Sequence, residues 1–176
     1  DLQAAAGINP SSLACTDMMG KLSYKMGDLD AAEKNFQIIM RDNPRNYDAL
    51  YWLGKVEAKR QNYERAANYI DKAVELFPAE SQVYVNRADV LKMMGENKAA
   101  AKNYIYALSG NNTSLAISEI FDMANTNYAD VMAALDDAIS KAPRVATYYR
   151  ICASVAMAHN HYGQALRRLQ SVIDNN

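Results

Sequence analysis

Five lysines, Lys21, Lys25, Lys55, Lys59 and Lys92, recur with Tyr24, Tyr51 and Trp52 at spacings that set them along one side of successive amphipathic helices. Cations beside aromatic rings could hold an extended or helical peptide that carries acidic groups. The ammonium meets a carboxylate while the ring covers the apolar stem. The phase comes from the best-patterned helix. Leu50, Leu53, Gly54 and Glu57 form its packing stripe, so Asp48, Tyr51, Lys55, Ala58 and Lys59 point the other way, with Trp52 at the flank. The same phase selects Asp17, Lys21, Tyr24 and Lys25 earlier in the chain. Later it selects Gln82, Val85, Asp89, Lys92 and Met93, with Asn86 beside them, and then Thr147, Arg150, Ser154 and Met157. Lys25 and Lys59 read more simply as solvated lysines. Trp52 fits a wedge against the preceding segment as well as it fits a binding surface.

Other reactive side chains point to no catalysis. His159 and His161 flank Asn160 in a turn, with no carboxylate or thiolate at metal spacing, so they read as exposed turn histidines. Asp136-Asp137 reads as a solvated acidic pair. There is no glycine-rich phosphate loop and no Gly-x-Ser-x-Gly elbow. Cys15 and Cys152 lie far apart in the chain and read as small packing residues. No catalytic residue, metal or cofactor is therefore expected. Asn111-Asn112-Thr113-Ser114 holds two overlapping glycosylation triplets, which matter only in a secretory pathway.

The elements that position these residues repeat. Setting Leu13, Tyr47 and Ser81 one above another, 34 residues apart, brings Gly20, Gly54 and Ala88 into one column and Ala32, Ala66 and Ala100 into the next. Phe36, Ile70 and Tyr104 share a third column, and Ile39, Ala73 and Ala107 a fourth. Two helices approach closely only where neither carries a large side chain; the larger column one turn away fills the space between them. Pro44 and Pro78 close the first two units. Gly27 and Gly95 occupy matching turns, where a left-handed residue is often needed. Asn46 and Asn62 precede helices as caps. No alternating run long enough for a strand occurs. The expectation is all-helical.

At 34 residues per unit these columns resemble the tetratricopeptide repeat (TPR) family. The second unit carries the resemblance best, with Leu50, Leu53-Gly54, Tyr63, Ala66, Ile70, Ala73 and Pro78. The resemblance implies a right-handed superhelical solenoid of antiparallel helix pairs (an α-α superhelix). It divides the chain into 1–12 as the tail of a preceding helix, then repeats 13–46, 47–80, 81–112, 113–145 and 146–176. The fourth is irregular: Tyr128, Leu135 and Ala138 keep step, but two or three residues are missing near 109–128, where hydrogen exchange is expected to be fastest. Leu2, Ala5, Asn9 and Pro10 echo Phe36, Ile39, Asn43 and Pro44, and no polar capping helix follows Leu169, Val172 and Ile173. An internal segment of a longer repeat protein is expected.

In that family the first helix of each pair lines a concave groove. The resemblance thus implies a partner-binding groove of Lys21, Tyr24, Tyr51, Trp52, Lys55, Asn86, Asp89, Lys92 and Arg150. Some members grip a carboxylate terminus with a Lys, Asn and Arg set; here Asp17, Lys21 and Trp52 stand in those places, so that activity is not expected. The function implied is a protein–protein interaction scaffold for a partner peptide or assembly subunit. The alternatives are a structural spacer that self-associates through its repeat ends, testable by Leu169→Asp or Val172→Asp, and a regulatory segment of a larger protein. The 19 basic residues nearly balance the 20 acidic ones, leaving a formal net charge of −1, which argues against a nucleic-acid surface. No apolar run reaches spanning length, so membrane insertion is not expected. A soluble chain, cytoplasmic or periplasmic, from a bacterial source is the remaining expectation.

Overall fold

A computed structural model describes residues 13–108 and 113–174; the expected helix tail at 1–12 and the Asn111–Asn112 part of the glycosylation triplets lie outside them. The described residues form helices and turns only, and the chain divides into two compact units, 1–79 and 80–176.

The first unit holds α1 (Leu13–Met26), α2 (Leu29–Asp42), α3 (Tyr47–Lys59) and α4 (Tyr63–Leu76). α1 pairs with α2, α3 with α4, and α2 packs on α3. The small-residue column does what the sequence requires of it. A methyl group on Gly20 would sit 2.7 Å from Cζ of Phe36, and one on Gly54 would sit 2.9 Å from Cγ2 of Ile70. Phe36 and Ala32 are wholly buried, with Ile39, Ala49, Leu53 and Val56 around them. Each large side chain so buried contributes about 1.5–3 kcal/mol. Asn46 caps α3 through Oδ1, which accepts from the Ala49 amide at 2.9 Å. Asn62 stands at the cap of α4 but makes no capping bond; its Nδ2 donates to Glu57 Oε2 at 2.9 Å instead.

The second unit holds α5 (Ser81–Met93), α6 (Asn97–Ala107), α7 (Thr113–Lys141), α8 (Ala146–Ala158) and α9 (Tyr162–Asp174). Tyr104, Ile120, Leu135, Cys152 and Val155 anchor a continuous core, with Ala100, Ala116 and Ala156 allowing close approach. The turns between paired helices share one device. Gly27, Gln61, Gly95 and Asn160 occupy one column and all have positive φ, between 63° and 86°. Two of the four are not glycine, and Asn tolerates this conformation far better than Gln.

In the fourth pair that column holds no residue of positive φ. α7 runs through it as one element, broken only at Asn127 (φ −133°, ψ 46°). Every other pair is joined by two or three residues, so the turn of the fourth pair is one or two residues shorter than theirs.

Candidate functional site

In the first unit α1 and α3 bring five predicted residues together. The Trp52 ring stacks on Phe36 (centroids 5.7 Å apart, planes 8°), meets the edge of Tyr24 at 5.4 Å and touches Tyr51 at 5.4 Å. It is therefore a wedge on the preceding helix pair and also one wall of the face. The Lys55 ammonium lies 5.5, 5.1 and 4.9 Å from the ring centres of Tyr24, Tyr51 and Trp52, and donates to the Tyr51 hydroxyl at 3.1 Å. Lys59, read from the sequence as merely solvated, lies 4.8 Å from the Tyr24 ring. Lys21 pairs with Asp17 at 2.7 Å and sits 5.8 Å from the Trp52 ring.

Each such cation–ring contact contributes about 0.5–2 kcal/mol, depending on how far it is desolvated. Their main effect here is to fix Lys55 in place, which reduces the entropy an anionic partner would have to remove on binding. Burial raises the pKa of the Tyr24 phenol. The Asp48 carboxyl is also raised, chiefly by burial, with Lys21 opposing and Asp17 adding to the rise. Lys21, Lys55 and Lys59 share this face with the acidic groups Asp17 and Asp48.

In the second unit the predicted residues are dispersed. Asn86 is buried and accepts from Gln82 Nε2 at 2.8 Å. Asp89 accepts the Tyr104 hydroxyl at 2.6 Å, a bond to the paired helix. Val85, Asn86 and Ala88 are all buried, a wider arc than the packing stripe inferred from the sequence. Lys92 pairs with Glu119 at 2.9 Å. Arg150 is exposed and lines an open cavity of about 360 Å³ with Ile117, Phe121, Thr147, Ile151 and Ser154. A guanidinium above an apolar floor, flanked by two hydroxyls, suits an anionic group on an apolar stem.

The sequence reading missed one polar network. Glu57, assigned to the packing stripe, is fully buried and charged-residue partners converge on it: Arg65 at 3.1 Å and Arg60 at 3.4 Å. Arg60 also pairs with Asp30 and, at 2.6 Å, with Glu33. The Glu33 hydrogen bond, opposed by burial, raises the Arg60 pKa further. The network joins α2, α3 and α4. A glutamate inside an apolar stripe was the available signal, because a buried carboxylate needs partners.

The remaining polar groups have structural partners. His159 and His161 both lie against the Tyr128 ring, 4.8 and 4.9 Å away. Asp136 and Asp137 are paired rather than merely solvated, Asp136 with Arg168 and Asp137 with Lys141 at 2.8 Å. The Lys141 hydrogen bond holds the Asp137 carboxyl below the usual range. Burial pushes the Cys152 thiol up to about 11, so it is inert at neutral pH. Among the described residues no group of three His, Cys, Asp or Glu side chains could hold a metal ion, and no helix is long and apolar enough to cross a membrane.

Residues 18–81 match the Tetratricopeptide repeat family. The chain is consistent with a tetratricopeptide-repeat protein. It is 26% identical over 107 residues to Tetratricopeptide repeat protein 7A of Homo sapiens, a match that covers 61% of this chain and only 12% of that protein. Among solved structures it is similar to a thermophilic TPR protein of Thermus thermophilus (18% identity, 89% and 87% of the two chains covered, TM-score 0.63). It is also similar to YrrB, a TPR protein with an unusual peptide-binding site (17% identity, 98% and 91% covered, TM-score 0.52). These likenesses show the fold. In tetratricopeptide-repeat terms α1, α3, α5 and α8 are first helices of their pairs, and they carry all nine predicted residues.

Proposed function

We propose that this chain is a protein-interaction scaffold whose first-helix surface binds an acidic segment of a partner protein. The observation that carries the reading is the α1–α3 face: a lysine fixed among three aromatic rings, beside Lys21 and Lys59. Aromatic walls and ordered cations are the combination that binds acidic peptides with apolar stems. Peptide binding by the structurally similar YrrB supports the same use of the fold. Arg150 and its apolar floor offer a second contact of the same chemistry in the second unit. Asn86 and Asp89 contribute to this function only by holding α5 in place.

The test is affinity capture from a native lysate with the full chain as bait, beside a Tyr51→Ala/Lys55→Glu double variant. Circular dichroism checks that both baits are folded. The expected result is a partner with an acidic segment, retained by the wild type, lost by the variant and weakened by salt. Equal recovery by both baits would overturn the assignment to this face.

A further inference from the structure

An open cavity of about 250 Å³ lies inside the second unit, between α6, the second half of α7 and the start of α8. The repeat explains why it is there. The position just before the Phe36, Ile70 and Tyr104 column holds Asn35, Tyr69, Asn103 and Arg168 in the other pairs, and Ala134 in the fourth. In the first unit Tyr69 is half-buried against the core that α2 and α3 form. Likewise Ala142 precedes Pro143 where Phe77 precedes Pro78, and the Phe77 ring meets the edge of Tyr47 at 5.6 Å. The fourth pair thus carries two methyl groups where the second carries two rings, and both alanines line the cavity.

The lining selects a chemistry. Ile105 joins the two alanines in an apolar floor, and the walls are Tyr148, only 8% exposed, and Tyr106, whose ring lies 4.3 Å from that of Tyr84. Burial, with Tyr106 adding to it, raises the Tyr148 pKa, so its hydroxyl is a donor at neutral pH. At the rim Lys102 and Lys141 share one carboxylate oxygen, Oδ2 of Asp137, at 3.7 and 2.8 Å. Among the described residues Asp137 is the only carboxylate paired with either lysine, which leaves the rim one positive charge in excess. The two lysine side chains are 48% and 72% exposed, and ion pairs so solvated are weak enough for the ammoniums to turn to a new anion.

We propose that this cavity binds a small aromatic acid, its one ring on the alanine floor between Tyr106 and Tyr148 and its carboxylate held by Lys102 and Lys141. Size supports this class of ligand. An apolar cavity of about 150 Å³ holds a benzene ring, and sites for drug-sized molecules begin at about 300 Å³. At about 250 Å³ the space suits one ring with a short acidic tail. Charge supports it as well, since an anion at the rim neutralises the excess positive charge. The site lies wholly within the second unit and is independent of what the α1–α3 face binds.

Titration calorimetry of the full chain with 3-phenylpropanoate tests this, beside 3-phenylpropanamide, which keeps the ring and loses the charge. The acid should bind saturably, about tenfold or more tighter than the amide, and more weakly as salt is added. Lys102→Ala/Lys141→Ala, both at exposed positions, should weaken binding of the acid about tenfold or more. Asp137→Asn should act in the opposite direction and tighten it, because the lysines then lose the anion that competes for them. Ala134→Tyr, which restores the ring of the repeat column, should abolish binding. Circular dichroism checks that each variant is folded. Absence of saturable binding at millimolar acid would overturn the proposal. So would equal affinity for acid and amide, an unchanged affinity in the double lysine variant, or weaker binding by Asp137→Asn.

Discussion

Replacing Gly20 with alanine sets helix propensity against packing, and the structure says which should win. In an exposed helix the change would stabilise by about 1 kcal/mol, since glycine costs that much relative to alanine. At Gly20 the added methyl carbon meets the Phe36 ring at 2.7, 2.9 and 3.1 Å, all shorter than a van der Waals contact. The ring has little freedom to withdraw, because it is wholly buried and its other face is stacked on Trp52. Overpacking of this kind costs about 1–3 kcal/mol. The balance is a net loss of about 1 kcal/mol for Gly20→Ala. In a Phe36→Leu background the ring atoms that clash are gone, and the same substitution should stabilise by about 1 kcal/mol. The expected coupling is therefore about 2 kcal/mol of favourable interaction between the two changes. Trp52 is the only tryptophan and lies against Phe36, so urea unfolding followed by its fluorescence reports on the first unit. Stabilisation by Gly20→Ala in both backgrounds would refute the packing account of the small-residue column.

Two further predictions concern the second unit. Burial, opposed by Arg168, pushes the Cys152 thiol from its ordinary 9.0 up to about 11. The unfolded chain therefore loses this proton first, and the stability the group contributes below pH 9 should fall as pH rises from about 9 to about 11. The stability difference between wild type and Cys152→Ser should shrink over that window, and a constant difference would refute it. In α7 the helical ladder breaks at Asn127, so native-state hydrogen exchange should be fastest within that helix at the amides just after it. Uniformly slow exchange through residues 120–135 would show that the break is closed in solution; the 109–112 part of the region expected to exchange fast lies outside the described residues.

Repeat columns made the helix pairs legible because each column is a contact. Gly20 and Phe36 belong to different columns in the sequence and to one contact in space. The turn glycines were legible for the same kind of reason, since φ above 0° favours glycine; Gln61, which adopts it too, was not, because nothing in its side chain announces it. The Lys55 cluster was legible from helical phase, as Tyr51 and Lys55 are one turn apart. Val172, offered from the sequence as an end-surface position, instead packs on the core of the second unit, so Val172→Asp is a folding variant.

The sequence by itself determined the helical secondary structure, the pairing of helices and the side of α1 and α3 that carries cations and rings, because these depend on period and side-chain size along one chain. Tertiary structure alone decided which polar groups are engaged. Whether Asp89 faces outward or takes the Tyr104 hydroxyl, and whether Glu57 is a misplaced charge or the centre of an arginine network, depends on what a neighbouring helix presents at hydrogen-bond distance. A period of 3.6 residues fixes the direction of a side chain around its own axis. It carries no information about the partner waiting there.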